Sequence, residues 1–178
     1  MKSTKSAFCH VLSDLRVSGS LVLNESYRPP WAIEVPNAGL LPSLLGLPAS
    51  VSVIPFHWAK QGAFEFLPIG GPALTISEGE MVICTNGAGH RMQQGREMEV
   101  VSFSDILQGL AKAPVASDGK GPTEIICGVF LLQNTHYNPL VNSLPPSLHL
   151  DAQKRQYSSA IGPLFELLTS ELDSNRAG

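Results

Sequence analysis

The chemistry-bearing residues of this 178-residue chain are a few histidines and cysteines: His57, His90, Cys127 and Cys84. Neutral imidazole nitrogens suit zinc, nickel or iron, and a thiolate is a good third ligand for zinc. The spacing brings His57 and His90 together only if two facing strands carry them. The set expected to bind metal is His57, His90 and Cys127, with zinc or nickel as the candidate ion. Cys84, close before His90 in the chain, is the weaker sulfur. The competing reading is that the histidines are hydrogen-bonded core residues and the cysteines small hydrophobes.

An effector pocket is expected around the same place, lined by Trp31, Val53, Pro55, His57, Gln61 and His90, because such pockets combine apolar walls with a few polar groups. Strand alternation places His57 on one face with Val53 and Pro55 and sends Phe56 and Trp58 to the other. Glu65 is the one carboxylate whose approach to the interior would add an acidic ligand. No Ser-His-Asp elbow or phosphate-binding loop is present, so the chain is read as a non-enzyme.

The elements that must hold these residues are mostly strands. Short β-prone runs broken by Gly, Pro and Asn lie at Ser20–Asn24, Trp31–Val35, Ser50–His57, Ala63–Leu67, Ala73–Ile76, Met81–Thr85, Glu97–Val101 and Glu124–Leu132. Asn86-Gly87 is a tight-turn signal, and His90 starts the strand that returns from it. Phe8, Val11, Leu12 and Leu15 have helical spacing that ends at Ser18-Gly19. A capped short helix is expected from Ser104, a mobile loop over Lys112 to Pro122, and a helix over Asp151–Leu172 with Ile161, Leu164, Phe165, Leu168 and Leu172 as its stripe. That stripe serves either this chain's own sheets or a second subunit.

The turn Gly79-Glu80-Met81-Val82-Ile83-Cys84-Thr85-Asn86-Gly87-Ala88-Gly89-His90 resembles the second cupin motif, with Gly79, Gly87 and His90 in register and Thr85 at the proline position. Pro55-Phe56-His57-Trp58-Ala59-Lys60-Gln61-Gly62 stands where the first motif carries two histidines and a glutamate. Only His57 matches; Pro55 and Gln61 replace the other ligands. These departures, with Trp31, Phe56-His57, Cys127-Gly128-Val129-Phe130, Asn138-Pro139-Leu140 and Leu144-Pro145-Pro146 in order, resemble the sensing domains of AraC-type transcription regulators.

That resemblance implies a mostly β fold, a cupin double-stranded β-helix or jelly-roll barrel, as one domain over 1–178. The parts would be a helix at 8–18, the barrel at 19–149, a C-terminal helix at 150–172 and a linker stub at 173–178. It implies a cytoplasmic, homodimeric sensing or dimerisation domain for a small-molecule or metal effector, bound to DNA only through a C-terminal domain outside this chain. The alternative is a free-standing metal-binding cupin of the isomerase or oxygenase class. A third reading is a cupin used only for dimerisation, with a filled interior.

Composition agrees with the non-DNA half of this expectation. Net charge is −3 and the cations are scattered, whereas phosphate backbones require clustered positive charge. Three cysteines with no CxxC pair argue against a disulfide framework and fit a reducing compartment. No apolar run is long enough to cross a membrane.

Overall fold

The computed structural model describes residues 16–96, 98–133 and 143–151, and positions 163, 167 and 170. The elements described from end to end are ten strands and two short helices: β1 (Arg16–Tyr27), β2 (Trp31–Val35), α1 (Leu41–Leu44), β3 (Ser52–Gln61), β4 (Ala63–Pro68), β5 (Leu74–Ser77), β6 (Met81–Ile83), β7 (His90–Gln94), β8 (Val100–Ser102), α2 (Phe103–Leu107), β9 (Thr123–Gln133) and β10 (Leu148–Leu150). They make two five-stranded sheets, ordered β1-β9-β3-β6-β10 and β5-β4-β7-β2-β8. The sheets face each other across one core that takes Val53, Val82, Ile125 and Cys127 from the first and Trp31, Phe64, Phe66 and Met92 from the second.

β3 is the strand on which the site depends. It is buried on both faces from Val53 to Ala59, as expected for a central strand. Val53 and Ala59 belong to the core between the sheets. Phe56 and Trp58 join Met81 and Ile126 in a second cluster with Ile83, Phe130 and Leu150. The expected alternation therefore holds. Pro55 is tolerated here for a specific reason. Its carbonyl accepts from the Cys84 N–H at 2.8 Å. A strand residue points its N–H and C=O to the same side, so the donor that proline lacks also faces the β6 side. The return bond that proline forgoes is the one to the Cys84 carbonyl, just past the Phe56–Trp58 pairing with β6, and that carbonyl accepts instead from the Gly87 N–H at 3.1 Å.

The turn between β6 and β7 is clasped against the start of the α1 loop. Gly87 has φ +64°, and a Cβ there would stand 2.2 Å from Ala38 Cβ. The Ala38 N–H donates to the Gly87 carbonyl at 2.7 Å. Gly87→Ala combines left-handed backbone strain with a steric wedge, and is expected to cost about 2–4 kcal/mol. Urea unfolding checks this; a loss under about 0.5 kcal/mol, the level of an ordinary surface change, contradicts it.

Several boundaries differ from expectation. Arg16, Val17 and Ser18 belong to β1, where they pair with Gln133, Leu132 and Leu131; the helix expected over 8–18 does not reach its Ser18-Gly19 stop. A ready-made partner strand outweighs the helical spacing upstream, and residues 8–15 lie outside the described residues. Leu150 pairs with Met81 in β10 and Asp151 is not helical, so no helix begins at 150. Pro163, Leu167 and Ser170 are helical; the stripe residues Ile161, Leu164, Phe165, Leu168 and Leu172 lie outside the described residues.

The strand expected at Glu97–Val101 is shorter and later, and it pairs parallel to β2. α2 forms where expected, but Ser102 is its N-cap and makes no side-chain cap bond. α1 lies outside the expected elements; Pro42 in its first turn is the signal that marks it. The stretch from Lys112 to Pro122 is irregular, as expected, yet tied down. Ala116 N–H donates to Ser26 at 2.8 Å, and the Arg28 guanidinium reaches the Lys120 carbonyl at 2.7 Å. Among the described residues, no helix is long and apolar enough to cross a membrane.

Candidate functional site

His57 and His90 meet between the two sheets. β3 turns His57 inward and β7 opens with His90, and the Nε2 atoms of the two rings are 2.7 Å apart. Both side chains are buried. The other nitrogen of His57, Nδ1, lies 3.0 Å from Cys127 Sγ, because β9 pairs His57 directly with Cys127. His90 Nδ1 lies 3.2 Å from the Ala88 carbonyl and 3.6 Å from Cys84 Sγ. Phe66 flanks both rings, 5.0 Å from His90 and 6.5 Å from His57 between centroids.

The metal-free protonation pattern follows from one fixed point. A carbonyl only accepts, so His90 carries its proton on Nδ1 and donates to Ala88. His90 Nε2 is then an acceptor, and His57 Nε2–H must be its donor. His57 Nδ1 is left to accept from the Cys127 thiol. The chain of bonds runs from Cys127 through His57 and His90 to Ala88, with every member neutral.

The electrostatics agree with this pattern. Burial pushes the His57 imidazole well below its ordinary 6.5, and the neighbouring His90 adds to the effect. Burial pushes His90 down to about 4, against a smaller upward pull from Ala88. Desolvation raises the Cys84 thiol to about 12. Cys127 is raised by burial first and by Cys84 second. A low-dielectric interior disfavours every charged form here.

His57, Cys84 and His90 are also a group that could hold a metal: one donor atom from each lies within 4.8 Å of the others. Two nitrogens and a sulfur with a remaining open position match a three-ligand zinc site. Ligands of a tetrahedral zinc with bonds near 2.0 Å stand roughly 3.3 Å apart, so the two Nε2 atoms would separate by about half an ångström. With a metal on Nε2, His57 would carry its ring proton on Nδ1 toward Cys127. That is the kind of outer partner metal-bound histidines use. The expected set His57, His90 and Cys127 is thus brought together around His57. The sulfur that falls within the compact group, however, is that of Cys84, on the β6–β7 turn.

The expected effector residues scatter. Pro55 and His57 line an interior cavity of about 30 Å³, room for about one water. Val53 lines a separate outer cleft of about 590 Å³. Trp31 is core: its ring packs on Tyr27 at 4.5 Å and its N–H donates to Gln94 at 3.2 Å. Gln61 ends β3 with an exposed side chain. Glu65 is exposed and accepts from Gln93 Nε2 at 2.9 Å, so it adds no carboxylate to the centre. Glu78 and Glu80 serve the β3–β4 and β5–β6 turns, accepting from the Gly62 and Ser77 N–H groups. His149 meets Glu80 at 3.1 Å; His10 and His136 lie outside the described residues.

Comparison with known proteins places this geometry in a family. No curated protein matches the sequence. Crystal structures similar to this chain include ToxT from Vibrio cholerae O395, with 8% identity over 93% of this chain and 48% of that chain at a TM-score of 0.40, and an apo ToxT variant from Vibrio cholerae strain SCE256, with 8% identity over 92% and 48% at 0.34. The chain spans about half the length of those structures. Both TM-scores are low, and membership rests on the sequence. Residues 7–178 match the family model described as Cupin. With two apposed sheets and histidines meeting between them at the positions of the two motifs, the chain belongs to the cupin family.

Proposed function

We propose that this chain is a signal-sensing domain of an AraC-type transcription regulator and not an enzyme, with a metal bound at His57, Cys84 and His90 as its signal or its internal brace. The observation that carries this reading is the buried, uncharged His57–His90–Cys84 group. It has the nitrogen and sulfur donors for zinc or nickel and, among the described residues, no carboxylate joins it. Oxygenase-type iron sites pair two histidines with a carboxylate, and here Pro55 and Gln61 stand where such ligands belong. A bound ion would supply positive charge at the centre of the core and tie the β6–β7 turn to β3.

The finer architecture is part of the same proposal: the two sheets close into a cupin barrel. The domain is cytoplasmic and homodimeric, and DNA is bound by a separate C-terminal region. A ligand or metal acts by binding one of two conformations more tightly. Support comes from the ordered set of short motifs and from the absence of clustered cations in the composition.

Calorimetric titration of chelator-treated protein with Zn²⁺ and Ni²⁺ tests the proposal. One ion per chain is expected to bind, with proton release, because the ligand atoms must give up protons. His57→Ala, His90→Ala and Cys84→Ala are each expected to weaken binding at least about 100-fold, since each removes a direct ligand. Cys127→Ala, an outer partner, is expected to weaken it about 10–100-fold. If neither ion binds with all four residues intact, the metal reading fails. Turnover by the metal-loaded protein would favour the alternative of a free-standing isomerase or oxygenase.

A further inference from the structure

The interior of this sensor has no room for an organic signal, since its cavity holds about 30 Å³. The outer cleft does, at about 590 Å³, within the roughly 300–1,000 Å³ range of small-molecule sites. Its walls are the α1 loop, with Ser43 and Leu47, and the β6–β7 turn, with Thr85 and Asn86; Val53 lies on its floor and Leu144 at its rim. Among the described residues, none lining it is charged.

We infer that this cleft is the effector site and that it takes an uncharged small molecule bearing hydroxyl or carbonyl groups. The inference deepens the sensor reading above and rests on it for the word effector. An ion entering the cleft would give up part of its hydration with no opposite charge in return. Hydrogen-bonding capacity, by contrast, is available. Asn86 Oδ1 accepts from the Ala88 N–H at 2.9 Å. This fixes the amide orientation and leaves the Asn86 NH2 as a donor without a partner among the described residues. The Ser43 hydroxyl donates to the Leu40 carbonyl at 2.9 Å, and the Thr85 hydroxyl donates to the Pro145 carbonyl. Both oxygens keep lone pairs that can accept. The site thus offers an amide donor, hydroxyl acceptors and apolar walls, the pattern that selects a neutral, partly polar ligand.

Position makes the cleft suitable for sensing. The turn that forms one wall begins after Cys84 and ends at His90, and the Ala38–Gly87 bond ties it to the opposite wall. A molecule bridging the walls presses on the segment that carries two members of the buried group.

The test uses amide NMR shifts of ¹⁵N-labelled protein with five probes: benzyl alcohol, cyclohexanol and caprolactam as neutral molecules, and benzoate and benzylamine as charged ones. At least one neutral probe is expected to shift the Ser43, Thr85, Asn86 and Gly87 amides, and the charged pair to bind at least tenfold more weakly. Ser43→Trp and Ala49→Trp fill the cleft from exposed positions. Each is expected to abolish the neutral-probe shifts while the rest of the spectrum stays folded. No shift from any neutral probe up to its solubility, equal shifts from the charged pair, or unchanged binding in both tryptophan variants overturns the inference. Metal binding is read by a separate titration, so a chain that takes the neutral probe but no zinc keeps this site and loses the metal reading.

Discussion

Metal-free protein is expected to lose stability steeply as pH falls below about 6.5. His90 is held neutral by burial, with its imidazole pushed from 6.5 to about 4. The unfolded chain takes up that proton below about 6.5, while the folded chain resists until about 4. Protonation therefore favours unfolding throughout that window. Stability is full above 6.5 and drains away toward 4. For His90 alone the loss from pH 7.5 to pH 5 is about 2 kcal/mol, and about 3 kcal/mol over the whole window. His57 is shifted in the same direction and adds to the loss. Urea midpoints of chelator-treated protein at pH 7.5, 6 and 5 measure this. A midpoint that stays level across the range would mean that the histidines are not buried neutral.

Replacing His57 is the substitution with the largest expected cost. His57 links the chain of hydrogen bonds, touching Cys127 through Nδ1 and His90 through Nε2. His57→Ala leaves a cavity and strips two buried polar groups of their partner. Cavity and unpaired-group terms together amount to about 3–5 kcal/mol. His90→Ala is expected to cost somewhat less: His57 Nε2–H loses its buried acceptor, but the other partner, the Ala88 carbonyl, belongs to a half-buried residue where water can replace the lost donor. The double variant should fall short of the sum by roughly 0.5–3 kcal/mol, as residues sharing one bond do. Gln61→Ala and Glu65→Gln, at exposed positions, are expected to stay within about 0.5 kcal/mol. Urea unfolding at pH 7.5 separates these cases. His57→Ala should also flatten the pH dependence, since one of the two buried imidazoles is gone. A His57→Ala protein as stable as its parent would remove His57 from the core network.

What could be read without coordinates was local. The facing of β3 is an example: a period of two on a strand is a property of the backbone, so Val53, Pro55 and His57 separate from Phe56 and Trp58 whatever surrounds them. The turn at Gly87 is another, because Asn-Gly supplies the positive φ that a tight reversal needs. His57 and His90 were legible as a pair through the motifs to which they correspond.

What needed the tertiary structure was non-local. β1 begins at Arg16 because β9 is long enough to pair with it there, and β10 exists because β6 offers a free edge; neither signal lies in the segment itself. The sequence favours Cys127 over Cys84 as the sulfur ligand. Pairing with β3 puts Cys127 on the far nitrogen of His57, and the turn swings Cys84 to the donor side. Gln61 occupies a ligand position in the motif but is exposed at the end of its strand. The interior was expected to be a pocket, yet Trp31, Phe64 and Phe66 fill it to a cavity of about 30 Å³. Filled volume depends on how side chains from both sheets interdigitate. The sequence by itself therefore determined the facing of β3 and the pairing of His57 with His90. The tertiary structure decided which other residues join them and where the remaining space lies, because contacts and voids belong to pairs of distant segments.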